Sequence, residues 1–188
     1  MKGGHVLCSA YGHTGTGKTY TMFGNIETAS GAPTVATNAI GLDIYKDLPS
    51  SYGLIPRVFC DIVNRVMNDP EISIDTRVTI SFVEIYNEKI RDLLSLTSAE
   101  AFNLKVREKA GSGPSIENLT KHEVFTSMDV LSTLALGLSK RTTSRRVENS
   151  SSSRSHAVVV MELTPLIPQL NQQRGKKAND AVVRVTMC

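Results

Sequence analysis

The hydrophobic positions of this chain follow both a helical and an extended period. From Pro56 to Met67 apolar side chains recur at helical spacing, which predicts a helix that ends before Pro70. Residues 77–83 alternate apolar with hydroxyl side chains, which predicts a half-buried strand. Residues 84–94 mix charges with leucine and isoleucine, and we expect the strand to continue there into a short helical turn.

Further elements surround this pair. His5–Tyr11 predicts a short buried strand, and residues 19–23 can open a helix after it. Residues 24–52 are rich in turn formers without clear periodicity, which predicts a long surface loop. Thr126–Asp129 resembles a capping box that opens another helix, and Gly137 weakens that helix near its end.

The C-terminal half adds mainly extended segments. Residues 95–125 predict short strands and turns, and two β-branched runs predict strands at 157–164 and 181–188. Strands that alternate with helices are typical of an α/β protein with a central sheet flanked by helices. The chain has 188 residues, which suffices for one domain with a buried core.

Residues 12–19 carry the pattern G-x-x-x-x-G-K-[ST], which wraps the phosphates of a nucleotide. Glycines let consecutive backbone N–H groups turn inward, Lys18 would reach the β- and γ-phosphates, and the Thr19 hydroxyl would ligate Mg²⁺. The segment lies between a predicted strand and a predicted helix, as a phosphate site requires. A glycine-rich turn without function is the alternative, which this context disfavours. We therefore predict a nucleoside-triphosphate site.

Composition restricts the remaining classes of protein. The formal net charge of +3 is compatible with an acidic partner but does not demand one. Cys8, Cys60 and Cys188 lack C-x-x-C spacing, so they predict buried, reduced thiols instead of a zinc site or a disulfide framework. Apolar runs are too short to span a membrane, and the N-terminus lacks a signal-peptide core. We expect a cytoplasmic protein without a nucleic-acid partner.

Residues 149–156 form a serine-rich segment that also carries an asparagine, an arginine and a histidine. Four serines in a row usually indicate a flexible linker. Hydroxyls that can ligate a cation, an arginine and an amide are also the groups that a nucleotide-dependent switch needs near the γ-phosphate. Composition alone leaves both interpretations open.

Asn149 and Ser152–His156 resemble the N-x-x-S-S-R-S-H switch loop of the kinesin motor family. The resemblance covers nearly the whole chain, in order. It includes the phosphate loop within Ala10–Met22, the helix start at Gly53–Arg57, the strand Ser81–Glu88 with Asp92–Leu94, and the pair Gly137 and Arg141. The match at Gly53–Arg57 implies that the loop before it interrupts one long helix. The implied fold is α/β, with the P-loop NTPase-type central sheet of a motor core.

The resemblance implies a microtubule-stimulated ATPase whose substrate is ATP with Mg²⁺. It places the nucleotide on Gly12, His13, Thr14, Gly15, Thr16, Gly17, Lys18, Thr19 and Tyr20. It assigns catalytic roles to Lys18, Asn149, Ser152, Ser153 and Arg154, and Mg²⁺ ligation to Thr19 and Ser153. Microtubules are the implied partner, and the microtubule cytoskeleton is the implied location.

Several positions depart from the family pattern. His13 stands where most kinesins carry Gln, which keeps a hydrogen-bonding side chain but adds a titratable ring. Ser150 replaces a common Glu, and Arg146 replaces a common Thr. Arg146 and the neighbouring cations make the residues that lead to the serine segment basic. These charges either form a solvated surface or influence the release of phosphate. For His156 we favour a packing or bracing role over that of a general base.

We expect residues 1–188 to be a single, partial motor domain that is truncated at both ends. The kinesin pattern continues from the last predicted strand into an Asp-Leu-Ala-Gly loop that senses the γ-phosphate, and the printed sequence stops at Cys188 before such a loop. The resemblance therefore implies impaired turnover, with a non-catalytic nucleotide- or tubulin-binding remnant as the alternative function. A small-molecule kinase is disfavoured by the kinesin-like serine loop. Oligomeric state would be set by regions outside this sequence.

Overall fold

The computed structural model describes residues 4–26, 48–70, 76–97, 101–109, 113–147, 155–165 and 183–187. The helices within these ranges are α1 (Lys18–Phe23), α2 (Leu54–Asn68) and α3 (Ser127–Val147). The strands are β1 (Gly4–Cys8), β2 (Thr76–Tyr86), β3 (Lys89–Asp92), β4 (Phe102–Leu104), β5 (Val106–Lys109), β6 (Gly113–Ile116), β7 (His122–Glu123), β8 (Ser155–Pro165) and β9 (Val183–Met187).

A seven-stranded sheet organises the fold. Its order is β1-β9-β8-β2-β3-β4, and β7 pairs with β2 beside this path. β1 and β9 run parallel, whereas the other neighbours in the sheet are antiparallel. β5 and β6 form a separate antiparallel hairpin. The predicted α/β class, with a central sheet and flanking helices, is confirmed.

The core lies between the helices and one face of the sheet. Ile80 and Phe82 of β2 are fully buried there, and Phe23 of α1 stacks on Phe82 with ring centroids 5.5 Å apart. The helix predicted from the spacing of apolar residues is confirmed as α2, which buries Phe59 and Val63 against this core. α2 begins at Leu54 and ends at Asn68, before the proline that was expected to stop it.

The prediction that β2 is half-buried is wrong. Its side chains are buried on both faces from Val78 to Glu84, including the hydroxyl-bearing Ser81. The reason is that β2 lies in the middle of the sheet and the β5–β6 hairpin lies over its second face. Ser81 shares a cavity there with Val106 and Ile116 of that hairpin. The alternation of apolar and hydroxyl side chains along β2 therefore reflects two covered faces, one apolar and one more polar, and not one buried and one exposed face.

The helical turn expected within residues 84–94 is also wrong. β2 and β3 form a hairpin whose turn residues, Asn87 and Glu88, have φ angles of 48° and 61°. Two consecutive positive φ angles match the twist of the strands they join. Asparagine adopts this conformation readily, whereas glutamate seldom does. Only Asn87 of the two turn residues therefore indicates a hairpin in the sequence.

The first strand is present, but it is not buried as predicted. Val6 is 55% exposed and Leu7 is 69% exposed. Consecutive strand residues point to opposite faces, so neither face at this pair is covered by the described part of the chain. Among the described strands, β1 lies at an edge of the sheet, next to β9.

Most of the loop predicted at residues 24–52 lies outside the described residues, which omit 27–47. Its two ends meet. Gly24 forms an antiparallel bridge with Tyr52, and the Gly53 N–H donates to the Phe23 carbonyl at 3.0 Å. α2 thus begins where α1 ends, which agrees with the implied interruption of one long helix.

Glycine is required at both positions where the segment after α1 meets the segment before α2. A Cβ atom on Gly24, whose φ is 68°, would overlap the backbone of Ser51, and one on Gly53 would lie 2.6 Å from the Met22 carbonyl oxygen. Such separations are shorter than real Cβ contacts. The two backbones can approach this closely because neither glycine carries a side chain.

The predicted capping box at the start of α3 is confirmed. Asp129 Oδ2 accepts the backbone N–H groups of Phe125 at 3.0 Å and Thr126 at 2.9 Å. The Asp129 N–H donates in return to Thr126 Oγ1 at 3.1 Å. The bonds of Thr126 and Asp129 satisfy N–H groups that the start of a helix leaves without intrahelical partners, and the bond of Phe125 fixes the residue before the cap.

Gly137 does not mark the end of α3, because the helix continues to Val147. Its role is steric. A Cβ atom at this position would lie 2.7 Å from Phe82 Cε1, so glycine lets the helix axis approach the aromatic ring of β2. The close contact explains a residue that helix propensity alone disfavours.

The cysteines differ in environment. Cys60 is fully buried and its Sγ donates to the Ser127 carbonyl at 3.7 Å, whereas Cys8 is only partly buried. Both are free thiols, and Cys188 lies outside the described residues. Burial raises the pKa of Cys60 from 9.0 to about 12, although the bond to Ser127 opposes the shift. None of the described helices has the length and apolar character to cross a bilayer.

We predict that Gly137→Ala lowers the free energy of unfolding by about 1–3 kcal/mol, because the added methyl must displace Phe82. Helix propensity alone predicts the opposite sign, a gain of about 1 kcal/mol. Urea unfolding measures the difference. Ser132→Ala, at an exposed position of the same helix, is the control and should change stability by less than about 0.5 kcal/mol. A stabilised Gly137→Ala protein would contradict the close contact.

We also predict that iodoacetamide at pH 8 modifies Cys60 only when the protein unfolds. The raised pKa leaves about a thousandth of the thiolate that a thiol of ordinary pKa would carry, and burial blocks access as well. Mass spectrometry of a protein with Ser at positions 8 and 188 measures the labelling rate with and without urea. A protein that retains only Cys8 is the control and should react faster in the folded state. Rapid labelling of folded Cys60 would show that the site is open.

Candidate nucleotide-binding site

The predicted phosphate loop connects β1 to α1. Gly15 and Gly17 have φ angles of 88° and 85°, in the left-handed region that favours glycine. Thr16 closes the loop, since its N–H and Oγ1 both donate to the His13 carbonyl, at 3.4 and 2.9 Å. Gly17 is the N-cap of α1, and its carbonyl accepts the N–H of Thr21 at 2.8 Å. The glycines therefore stand where the backbone needs them.

The Lys18 side chain folds back over this loop. Its Nζ donates to the Gly12 carbonyl at 2.7 Å and to the His13 carbonyl at 2.8 Å. These bonds hold a positive charge against the backbone turn, where it is half-buried. An anion bound at the loop would meet both this ammonium group and the backbone N–H groups.

A cavity of about 110 Å³ joins the phosphate loop to the start of β8. It is lined by Ala10, Lys18, Thr19, Met22, Phe23, Arg141, Ser155, His156 and Ala157. None of these side chains is acidic, and they include two cations, of which Arg141 is paired with Glu84, and two hydroxyl groups. This polarity fits an anionic ligand. A larger cavity, of about 200 Å³, lies between the β5–β6 hairpin and the sheet, away from these residues.

The cavity also fits a magnesium ion bound together with phosphates. Mg²⁺ usually keeps several waters and takes one or two protein ligands besides substrate oxygens. Thr19 supplies one hydroxyl at the cavity wall. Among the described residues, no group of three or more His, Cys, Asp or Glu side chains could form an all-protein metal site.

The remaining predicted site residues divide into two sets. His13, Thr14, Thr16 and Tyr20 are exposed along the loop and α1. Asn149, Ser152, Ser153 and Arg154 lie outside the described residues, so their roles stay predictions. The description resumes at Ser155, whose side chain lines the same cavity as Lys18.

The structure adds residues that were not among the predicted site residues. Arg141 lines the cavity although it belongs to α3, and Met22 and Phe23 of the core form part of its floor. His156 also lines the cavity and is exposed, which contradicts the packing half of the packing or bracing role favoured from the sequence; the bracing half stays a prediction. In the sequence, Arg141 is the last residue of the G-x-x-x-R spacing and one of the cations of the basic segment, but neither feature places it at the cavity.

Two cations of the basic approach to the serine segment, Lys140 and Arg141, have different environments, whereas the side chains of Arg145, Arg146 and Arg154 lie outside the description. Lys140 donates its Nζ to the Ser95 carbonyl at 2.6 Å, away from the cavity. Arg141 is buried instead, with its Nε 3.3 Å from Glu84 Oε1.

In the phosphate loop, the ring of His13 makes a local contact. Its Nδ1 lies 2.8 Å from the Thr14 carbonyl and donates to it in the tautomer where Nδ1 carries the proton.

Comparison with known proteins gives a consistent result. The family model for the kinesin motor domain matches residues 1–184. Kinesin-like protein KIF16B from Mus musculus is 38% identical over 168 residues, which are 87% of this chain and 11% of that protein. Kinesin-like protein unc-104 from Caenorhabditis elegans is 35% identical over 164 residues, which are 87% of this chain and 9% of that protein.

A solved structure agrees. It is that of a fast kinesin, described with implications for ATPase mechanism and interactions with microtubules, and it superimposes with a TM-score of 0.68 at 26% sequence identity. The match covers 99% of this chain and 43% of that one. The chain thus spans about a tenth of the length of these curated relatives and less than half of the solved chain. With the phosphate loop, the sheet order and these matches in agreement, the chain belongs to the kinesin motor domain family.

Proposed function

We propose that this chain forms the nucleotide-binding part of a microtubule motor that hydrolyses ATP. The observation that carries the proposal is the shared cavity, in which Lys18 of the phosphate loop faces Ser155, the first residue of β8. In a motor of this kind, one wall binds the phosphates and the other responds to the γ-phosphate. Two segments far apart in sequence supply the two walls here.

The proposed roles follow from the chemistry of each group. Lys18 and the backbone of residues 12–17 bind the β- and γ-phosphates, and Tyr20 lies beside the nucleotide. Thr19 and Ser153 hold Mg²⁺, which neutralises charge on the phosphates when bound. Ser152, Arg154 and Asn149 respond to the γ-phosphate. Phosphoryl transfer to water depends mainly on positioning and electrostatics, for which these groups are suited.

The relatives support the wider proposal. Several are named kinesin-like proteins, and the solved fast kinesin is described by its ATPase mechanism and its interactions with microtubules. We therefore propose microtubules as the partner and the microtubule cytoskeleton as the location.

A second candidate is a module that binds nucleotide or tubulin without turnover. The coverage of 43% of the solved kinesin chain favours it for residues 1–188 taken alone, because the printed sequence contains no Asp-Leu-Ala-Gly loop. Binding of a nucleotide by the phosphate loop does not need the Asp-Leu-Ala-Gly loop. The kinesin resemblance implies that a response to the γ-phosphate does need it.

We predict that Lys18→Ala weakens Mg-nucleotide binding by at least tenfold, because it removes the charged donor to the phosphates; charge-assisted bonds contribute roughly this much. Titration with a fluorescent ADP analogue in the presence of Mg²⁺ measures the dissociation constant. Lys105→Ala, which removes an exposed lysine outside the cavity, is the matched control and should bind like the unaltered chain. Equal affinity of the Lys18→Ala and unaltered proteins would exclude the phosphate contact.

We further predict that residues 1–188 alone bind Mg-nucleotide but show little microtubule-stimulated ATP turnover. A steady-state assay of phosphate release, with and without microtubules, measures this. A longer protein that supplies the Asp-Leu-Ala-Gly loop is the positive control. Robust stimulation of the 188-residue chain would reject the binding-only candidate and show that this part suffices for the motor ATPase.

A further inference from the structure

We propose that Arg141 is a positioning residue for the nucleotide cavity. It connects Ser155, at the start of β8, to Glu84 of β2, and so holds the cavity wall that faces Lys18. The inference rests on the proposed nucleotide site and deepens it, because it names a residue that sets the geometry of that site without contacting the phosphates.

The first contact in this connection is a buried ion pair. Arg141 Nε donates to Glu84 Oε1 at 3.3 Å, and the two side chains are only 7% and 6% exposed. A buried charge is strongly destabilising without its partner, so each side chain fixes the other. Because Glu84 balances the guanidinium charge, the attraction of an anion to the cavity falls mainly to Lys18.

The second contact runs from the same guanidinium group to the cavity wall. Arg141 Nη2 donates to Ser155 Oγ at 3.4 Å. The guanidinium is a rigid, planar fork, so the bond from Nε to Glu84 also sets the direction of Nη2. A lysine in its place would present its donors from a single nitrogen and would not reproduce the two fixed directions that Nε and Nη2 provide.

The place of this contact in the sheet gives it a function. The β2–β8 ladder runs from the pair Thr76–Pro165 to the pair Tyr86–Ser155. Terminal pairs of a ladder open more readily than central ones. The cavity is lined by Ser155 and the residues that follow it, so opening of the last pair would move its wall. A connection from α3 at this point keeps the end of the ladder closed.

A simpler reading is that the Glu84–Arg141 pair only stabilises the fold. The two readings differ in what they predict for the folded protein. A stabilising pair changes the fraction of molecules that are folded, whereas a positioning residue also changes nucleotide affinity per folded molecule. Arg141→Lys separates them, since it keeps a cation beside Glu84 but removes Nη2, the atom that donates to Ser155.

The test compares Arg141→Lys, Ser155→Ala and the double variant in the 188-residue chain. Dissociation constants are measured with a fluorescent ADP analogue and Mg²⁺, and folding is followed by thermal unfolding. Hydrogen–deuterium exchange of peptides that include residues 155–159 reports on the ladder end without nucleotide. Lys140→Gln is the control, because Lys140 is adjacent on α3 but bonds to Ser95 outside the cavity.

We expect each single variant to raise the dissociation constant by about tenfold, as the loss of a charge-assisted bond would. The double variant should be no weaker than Arg141→Lys, because both changes remove the same contact. Exchange at the start of β8 should accelerate, while the unfolding temperature of Arg141→Lys stays close to that of the unaltered chain. Lys140→Gln should change neither binding nor exchange there.

Other outcomes overturn the proposal in distinguishable ways. If both single variants bind nucleotide and exchange like the unaltered chain, Arg141 does not position this wall. Additive losses in the double variant would show that Arg141 acts by a route other than Ser155. If the unaltered chain and Lys18→Ala both fail to bind nucleotide, the proposed function itself is wrong. The exchange measurement still decides in that case whether the connection holds the ladder end.

Discussion

The register between β2 and β8 is the constraint on which the rest of the structure depends. It pairs Tyr86 with Ser155 at one end and Thr76 with Pro165 at the other. Side chains alternate between faces with a period of two, so a slip by one residue would reverse both faces of β8. Such a slip would turn Met161 out of the helical core and move Ser155 away from Lys18. Burial of the core and assembly of the cavity are therefore fixed by one ladder.

The phosphate loop is attached to this ladder through a very short helix. α1 has six residues, fewer than an isolated helix needs to persist in water. Its position comes from packing, since Phe23 stacks on Phe82 and Met22 is buried in the same cluster. Both residues also line the cavity. The floor of the candidate site is thus part of the hydrophobic core, so a change in the core at Phe82 would be transmitted to the loop.

Features encoded within a few residues were predictable from the sequence, and features that depend on neighbours were not. The spacing of apolar residues predicted α2, and the Thr126–Asp129 pattern predicted the start of α3. Exposure of β1 and burial of both faces of β2 depend on which distant elements cover the sheet, such as the β5–β6 hairpin, and no local pattern contains that information. The same division holds in the site. The loop around Lys18 was identified from its motif, whereas the contacts of Arg141 required the fold.

Lys140 and Arg141 show why local charge is a poor guide to function in this chain. The two are adjacent cations in a basic segment, and successive residues of a helix point about 100° apart. Lys140 reaches the Ser95 carbonyl, while Arg141 lies between Glu84 and Ser155. Neither a solvated face nor a diffuse basic patch describes both. Glu84 belongs to the strand motif and Arg141 to the helix motif that resemble kinesins, and their contact joins these two distant motifs at the wall of the nucleotide cavity. The two motifs thus form one structural unit, and a change in either should be felt at the site through the other.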